Sequence, residues 1–409
     1  MSLWIGNRVI CLLLLIAYSS SSNRLSYNFN KAAPPFVWEI PDNERWFHVT
    51  SLLPNIPIEQ QETPPPPYPP VFAVSPRFFT NDMVQKFSRN TIRSLPATFH
   101  QFPEVRKQFI KDFLFQDIYN THRQLIIANN VSVDTHGHVF DRKLGKFLAN
   151  GGCHQRFNPG EIPPSARLVY RLRVISIAAM WTHAPFHFPI EAVAGLAHLN
   201  DTLLRSTPIH ISHISNYTLG WLSLLQIPVQ HIITGTVFAS ELLLPEMSRC
   251  GAPSLLQLQW MRDQFLPLAA VLPQHPPHIV IIKRTTSRVF NNFSGVYSTI
   301  SGVASKYNLS VMVHSEANLP SLLEQINIFS TAALVVTSHG AAELFITFMP
   351  AHACVIEYNY LYSSNLVYAR MALLLGLNYR MNVMGEITMD SLAEQVGECL
   401  TARQKSLKA

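Results

Sequence analysis

Residues 278–284 read His-Ile-Val-Ile-Ile-Lys-Arg, and the chain from there to Leu375 keeps returning to that pattern. A short apolar, β-branched run closed by charge is the signature of a strand buried on both faces. Ser294–Lys306 is predicted as a helix, and Leu309–Val313 (LSVMV) as a second strand. Leu319, Leu322, Leu323, Ile326 and Phe329 then recur at helical spacing, with Pro320 in the first turn of the predicted helix. Ala333–Thr337 (ALVVT) is a third strand, Gly340–Phe348 a helix, Cys354–Tyr358 (CVIEY) a fourth strand and Ser364–Leu375 a helix. Strands separated by helices cannot be hairpins. They lie parallel, with helices on both faces of the sheet.

The middle third alternates more loosely. Leu168–Ile177, Ile209–Ile214 and Val229–Ile233 are strand-like, and Pro189–Leu204 and Tyr217–Leu225 are helical. Two Rossmann-like domains facing across a cleft account for this order, one over residues 76–260 and one over 261–409, with a helix around Leu255–Phe265 as the crossing point. No internal repeat is visible.

Upstream, residues 23–75 read as a stem. Thr63–Pro70 (TPPPPYPP) favours extended polyproline II, a semi-rigid spacer, and Ser19–Ser22 precedes it. Residues 1–22 read as a signal peptide or short signal-anchor. Arg8 is followed by ten apolar residues, Val9–Tyr18, against roughly 20 for a mature spanning helix, and small residues at Ala17 and Ser19 permit cleavage. No later span is predicted. The chain is therefore expected in the Golgi or endoplasmic reticulum lumen, as a single-pass type II membrane protein or secreted after cleavage, touching the membrane only through its N-terminus. Outside the apolar run, Cys153, Cys250, Cys354 and Cys399 make an even number, enough for one or two disulfides, and the sequence does not choose among the pairings.

Composition narrows the function. Of 409 residues, 48% are hydrophobic and 14% charged, which excludes disorder throughout, and a net charge of +6 spread over that length makes no nucleic-acid footprint. Sixteen glycines against 29 prolines, with neither GxGxxG nor GxxxxGK[ST], exclude the usual dinucleotide and P-loop readings. Seventeen histidines are present, but none has HExxH or comparable spacing and no cysteine pair has CxxC spacing, so no metal site is expected.

Three clusters carry chemistry. At Thr337-Ser338-His339-Gly340-Ala341-Ala342 a strand gives way to a helix through small residues, where backbone N–H groups and the helix dipole would hold a diphosphate. Lys283, Arg284 and Arg288, followed by Asn291, gather at the end of the first C-terminal strand and would neutralise phosphates. In His183–Glu191, Pro189 marks a helix start, placing His187 at the cap and Glu191 in the first turn, a pair able to share a proton. Each cluster also has a plain reading, respectively a tight turn, a solvated basic loop and a capped helix.

Together and in order, the clusters resemble the glycosyltransferase 61 family, which includes lumenal O-GlcNAc transferases and plant xylan-decorating enzymes. Phe186–Ala192 is similar to the family's F-H-x-x-x-[D/E] segment, Arg284, Arg288 and Asn291 to its R-x-x-x-R-x-x-N loop, and Glu324–Phe329 to its E-Q-I-x-x-F helix. Val335–Ala341 resembles its strand and H-G-A, and Phe348-Met349-Pro350 with Val355-Ile356-Glu357 its F-M-P…V-I-E. The resemblance implies a GT-B fold, a UDP-linked nucleotide-sugar donor on the C-terminal domain, a glycan or glycoprotein acceptor on the N-terminal domain, inversion at the anomeric carbon and no metal cofactor. Onto this sequence it carries Glu191 as first choice of catalytic base and His187 as second, Arg284, Arg288 and Asn291 with the Gly340–Ala341 backbone as diphosphate ligands, and His339 and Glu357 as shapers of the donor pocket. Gln325 reads as a packing residue, or one that supports the site from behind, rather than as a contact. One departure stands out: after H-G-A the family continues with Gly, Leu, Thr and Asn, and here Ala342, Glu343, Leu344 and Phe345 follow. An acidic first turn would repel a diphosphate unless it points away, so the alternative is a catalytically inactive lumenal protein that binds glycans or a partner.

Overall fold

A computed structural model describes residues 47–48, 125–141, 146–149, 169–248, 251–359, 366–383 and 387–408. The signal segment, nearly all of the stem, Cys153 and Cys250 lie outside them. The architecture is α/β with two sheets. The first contains β1 (Phe47–His48), β2 (Leu125–Val133), β3 (His138–Asp141), β4 (Lys146–Ala149), β5 (Val169–Ser176), β6 (Ile209–His210), β7 (Ile232–Ile233) and β8 (Val237–Pro245), in the order β1-β4-β3-β2-β8-β5-β6-β7. Only β8, β5, β6 and β7 run parallel, whereas β2, β3, β4 and β1 are antiparallel. The first half is thus Rossmann-like along one side only. A tight turn explains the change: Asp134 Oδ1 accepts from the N–H groups of His136 and His138, both at 2.9 Å, and Gly137 closes the turn at φ 77°. Residues 47–48, expected in the stem, pair with β4 as an edge strand.

The second sheet contains β9 (His278–Lys283), β10 (Ser310–Ser315), β11 (Ala332–Ser338), β12 (Cys354–Asn359) and β13 (Asn378–Val383), all parallel, in the order β10-β9-β11-β12-β13. The chain leaves β9 for one neighbour and returns on its other side, so the strand order reverses between β9 and β11. Ligands of open parallel sheets bind at such a switch point, outside the carboxyl ends of the strands.

Among the described residues, seven α-helices cover the sheets: α1 (Asp201–Ser206), α2 (Asn216–Leu224), α3 (Leu255–Ala269), α4 (Phe293–Lys306), α5 (Leu322–Ser330), α6 (Val367–Leu374) and α7 (Met389–Lys408). Alternation along β9 sorts the core. Ile279 and Ile281 pack with Val296 and Ile300 of α4 and Val396 and Leu400 of α7, whereas Val280 and Ile282 face Ile326 and Phe329 of α5. That second cluster runs on into the first half. Trp221 of α2 is fully buried among Phe265 of α3 and Phe345 and Phe348 of the 3₁₀ helix Ala341–Phe348, with ring centroids 5.1, 6.4 and 6.3 Å away. A disulfide joins Cys354 of β12 to Cys399 of α7.

Several expected elements are shorter than the pattern implied. Val229–His231 is a 3₁₀ turn ahead of β7. The helix expected over Pro189–Leu204 is a π-helix (Phe188–Val193), a 3₁₀ turn (Leu196–His198) and α1. It breaks because Asn200 is extended and its side chain accepts from Leu203 N at 2.8 Å, starting a new helix in place of continuing the old one. Pro320 lies ahead of α5, whose N-cap is Ser321. No helix among the described residues is long and apolar enough to cross a membrane.

Candidate active site

Arg284 follows β9 and reaches across the switch point to the end of β11. Its Nη1 donates to the carbonyl of His339 at 3.1 Å, its Nη2 to Ser287 Oγ at 3.2 Å, and its Nε lies 3.3 Å from Glu316 Oε1. Glu316 also accepts from Thr285 N at 3.1 Å, so the carboxylate pins both the loop and the guanidinium. Arg288 sits half-buried in the left-handed backbone region, φ 54°, a conformation that costs a non-glycine residue energy and is found at functional sites. Asn291 is exposed in the turn before α4 and makes no hydrogen bond among the described residues. Lys283 turns away, its Nζ 4.7 Å from the centre of the Phe293 ring.

Behind the arginines lies a buried acidic cluster. His339 Nδ1 is 2.5 Å from Glu357 Oε1, Asn359 Nδ2 donates to the same oxygen at 3.0 Å, and Tyr379 donates to Glu357 Oε2. Glu343, fully buried, accepts from the Gly340 N–H at 2.9 Å, and its second oxygen has no hydrogen-bond partner among the described residues. The expected phosphate donor at Gly340 is therefore already capped by the chain's own carboxylate. Burial and the Glu357 carboxylate push Glu343 well above the usual carboxylate range, and the Gly340 N–H, Arg288 and Arg284 oppose that shift. Tyr379 and Tyr368 are pushed up by the same burial and neighbouring carboxylates.

The third cluster sits on the π-helix, a rare geometry frequent at functional sites. His187 Nδ1 is 2.7 Å from Glu191 Oε1, and Gly251 N donates to that oxygen at 2.8 Å. The Glu191 side chain is 1% exposed and that of His187 is 26% exposed. Of the pair, the imidazole is therefore the group open to solvent and the carboxylate the group sealed beneath it.

The clusters from the two halves converge. The rings of His187, Phe186, Tyr368 and His339 follow one another at centroid distances of 5.4, 5.4 and 5.1 Å. Tyr368, Tyr379, Asn359 and Glu316 complete the site and were missed in the sequence, where each lies outside any motif. Gln325 is a packing residue as expected, bonded to His314 Nε2 at 3.0 Å. His339, Glu343 and Glu357 place one donor atom each within 4.8 Å of one another, the only such trio among the described residues. Two of those residues already bond each other, through His339 Nδ1 and Glu357 Oε1.

The family model for glycosyltransferase 61 matches residues 92–356, well over half of the chain and both sides of this site. The chain belongs to the glycosyltransferase 61 family. Its membership supports glycosyltransferase activity, and so a sugar donor and an acceptor in general. No curated protein matches the chain. Among solved structures it is similar to a diflavin flavoprotein A3 from Nostoc sp., at 9% identity and a TM-score of 0.25, over 32% of this chain and 94% of that one. It is also similar to a flavoprotein from Thermotoga maritima, at 10% identity and a TM-score of 0.25, over 51% of this chain and 52% of that one. Likenesses of that size carry no argument for this glycosyltransferase 61 protein.

Proposed function

We propose that this protein is an inverting, metal-independent glycosyltransferase of the secretory pathway, arranged as a GT-B pair, which moves a sugar from a UDP-linked donor to a glycan or protein hydroxyl. The observation that carries the reading is Arg284 laid over Gly340 at the switch point of a parallel sheet, in a chain of this family. The donor side is residues 261–409 and the acceptor side 76–260. His187 takes the proton of the acceptor hydroxyl, held and polarised by Glu191. The freed oxygen attacks the anomeric carbon from the face opposite the diphosphate, whose bond to that carbon breaks and whose electron pair leaves with it. Arg284 and Arg288 stabilise the departing charge. His339 and Glu357 are positioning residues beneath the donor. The Cys354–Cys399 bridge supports an oxidising lumen, where residues 1–22 and the stem would deliver the protein.

The test is a donor screen of the purified protein against UDP-hexoses and UDP-pentoses, reading UDP release with and without chelator. At least one donor should be turned over with chelator present, and Arg288→Ala should lower release about 100-fold. Turnover abolished by chelator would remove the metal-free part of the reading, and an Arg288→Ala rate equal to wild type would remove the leaving-group role.

A second reading, an inactive lumenal binding protein on the same fold, is favoured by one observation: Glu343 holds the Gly340 N–H that a diphosphate would need. Calorimetry with UDP and UDP-sugars separates the two, because absence of nucleotide binding favours the second.

A further inference from the structure

A cavity of about 430 Å³ lies in the first half of the molecule, lined by none of the residues assigned above. That volume falls in the range of roughly 300–1,000 Å³ typical of small-molecule sites. Three loops border this open cleft. The β2–β3 turn supplies Thr135 and His136, the loop after β5 supplies Met180 and His183, and the loop after β6 supplies Ser212 and His213. The last two leave the carboxyl ends of adjacent parallel strands.

The walls are held by hydrogen bonds and close packing between the loops. Ser212 Oγ lies 2.9 Å from Ala179 N and 2.7 Å from Thr182 Oγ1, lacing one loop to the other. Beneath them the buried His210 bridges Ser176 Oγ at 3.0 Å and the carbonyl of Gly235 at 2.8 Å. A Cβ on Gly137 would fall 1.9 Å from the carbonyl oxygen of Ala178, so the β2–β3 turn is wedged against the loop after β5. Tyr217 donates to the carbonyl of Pro185 at 2.5 Å, anchoring the far end of that loop to α2.

The lining excludes whole ligand classes. It holds no Asp, Glu, Lys or Arg, so it offers no permanent charge to a phosphate, a carboxylate or an ammonium group. Its three histidines do not belong to the His339–Glu343–Glu357 cluster, which lies in the other half. The lining does offer imidazoles and hydroxyls, groups that both donate and accept. Beside it stands Trp181, 37% exposed, its ring centroid 5.8 Å from that of His183. A pyranose ring has that complementary shape, with a rim of hydroxyls that donate and accept and a face of C–H groups that lies against an indole.

We propose that this cavity is a carbohydrate subsite in which Trp181 packs against a sugar ring and His136, His183 and His213 bind its hydroxyls. The same loop continues from His183 to His187, the imidazole assigned as base. Calling it the acceptor rests on the transferase reading, but the binding of sugar does not.

The experiment is saturation-transfer NMR of the full protein with methyl glycosides of the common hexoses, N-acetylhexosamines and pentoses. The comparison set is Trp181→Ala, His183→Gln and, as a surface control, Val271→Ser, each checked for an unchanged melting curve. At least one glycoside should show transfer with wild type and control, and both site variants should bind it about tenfold more weakly, the loss expected of one packing or hydrogen-bond contact. No transfer to any glycoside, or equal transfer to all four proteins, overturns the subsite. Glycoside binding without any UDP binding would instead sink the transferase reading and leave the subsite standing.

Discussion

The guanidinium of Arg284 fills the space that a side chain at residue 340 would need. A Cβ placed on Gly340 would lie 1.6 Å from Arg284 Nη1. The backbone at Gly340 is extended, φ 177°, which any residue adopts, so room for the arginine is what requires glycine. Gly340→Ala should expel Arg284 from the His339 carbonyl while leaving the fold intact. A hydrogen bond to a charged group is worth roughly 1.5–3 kcal/mol, so UDP affinity by calorimetry should fall about 10- to 100-fold. A variant binding UDP as tightly as wild type would take Arg284 out of the nucleotide site.

The His187–Glu191 pair predicts an asymmetry. His187→Ala should lower kcat for transfer by about 10²- to 10⁴-fold, the usual worth of a positioned base. Glu191→Gln keeps an oxygen for the Gly251 N–H and loses only the charge beneath the imidazole, so its loss of kcat should be smaller, with the donor KM unchanged. A larger loss in Glu191→Gln than in His187→Ala would return the base to Glu191.

What could be read from the sequence follows from burial. β9, β11 and β12 are covered on both faces and announce themselves as apolar β-branched runs, so four of the five strands of the C-terminal sheet were legible, whereas β13 was not, because Asn378, Arg380 and Asn382 alternate through it. β8 was not, because Ser240 and Glu241 interrupt it, and Glu241 is there to pair with Arg173 on the neighbouring β5. Helix α7 went unread because it is mostly solvent-facing, with only Leu392, Val396, Cys399 and Leu400 buried. In the site, the arginines and His339 lie in motifs at strand ends and were found. Tyr368 and Tyr379 touch the cluster only through tertiary packing, and no spacing in the chain records that. The self-capping of Gly340 by Glu343 was half-visible: the acidic residue stood out, but its hydrogen bond could not.

Glu343 should make the fold less stable at neutral pH. Its folded-state pKa is raised above the ordinary 4.5. Below that value both states are protonated and nothing is lost. As pH rises above 4.5 the unfolded chain releases a proton that the buried group keeps, and stability falls. Glu343→Gln retains an oxygen for the Gly340 N–H and cannot ionise. It should melt several degrees above wild type at pH 7 by calorimetry, with the gap closing toward pH 4.5. A variant melting lower at pH 7 would show that the ionised carboxylate is what Arg284 and Arg288 require.

His210 sets the acid limit. Burial lowers its pKa from 6.5 to about 4. Its contribution is full above pH 6.5 and is lost as pH falls to about 4, because the unfolded imidazole takes up a proton that the folded one refuses. That difference is worth roughly 3 kcal/mol, and the buried His278 and His314, also lowered, act in the same direction. Chemical-denaturant midpoints should fall steadily from pH 6.5 to 4 in wild type, and less steeply in His210→Asn. Equal slopes would locate the acid sensitivity elsewhere.

The Cys354–Cys399 bridge closes a loop of 45 residues, and the chain-entropy relation gives about 4 kcal/mol for a loop of that length. Reduction, or Cys399→Ser, should lower the melting temperature markedly, and a non-reducing peptide map should recover the two cysteines linked. Recovery of both as free thiols would contradict the pairing.

Trp221 belongs by sequence to the first half and by packing to both. With its indole against Phe265, Phe345 and Phe348, the two sheets share one of their hydrophobic clusters. Neither half is then a module that could be cut out, expressed alone or exchanged with a homologue's, because each would expose the aromatic face that the other covers. Opening and closing around a donor must fall to the loops at the strand ends, since a wholesale parting of the halves would have to pull that indole out of its packing.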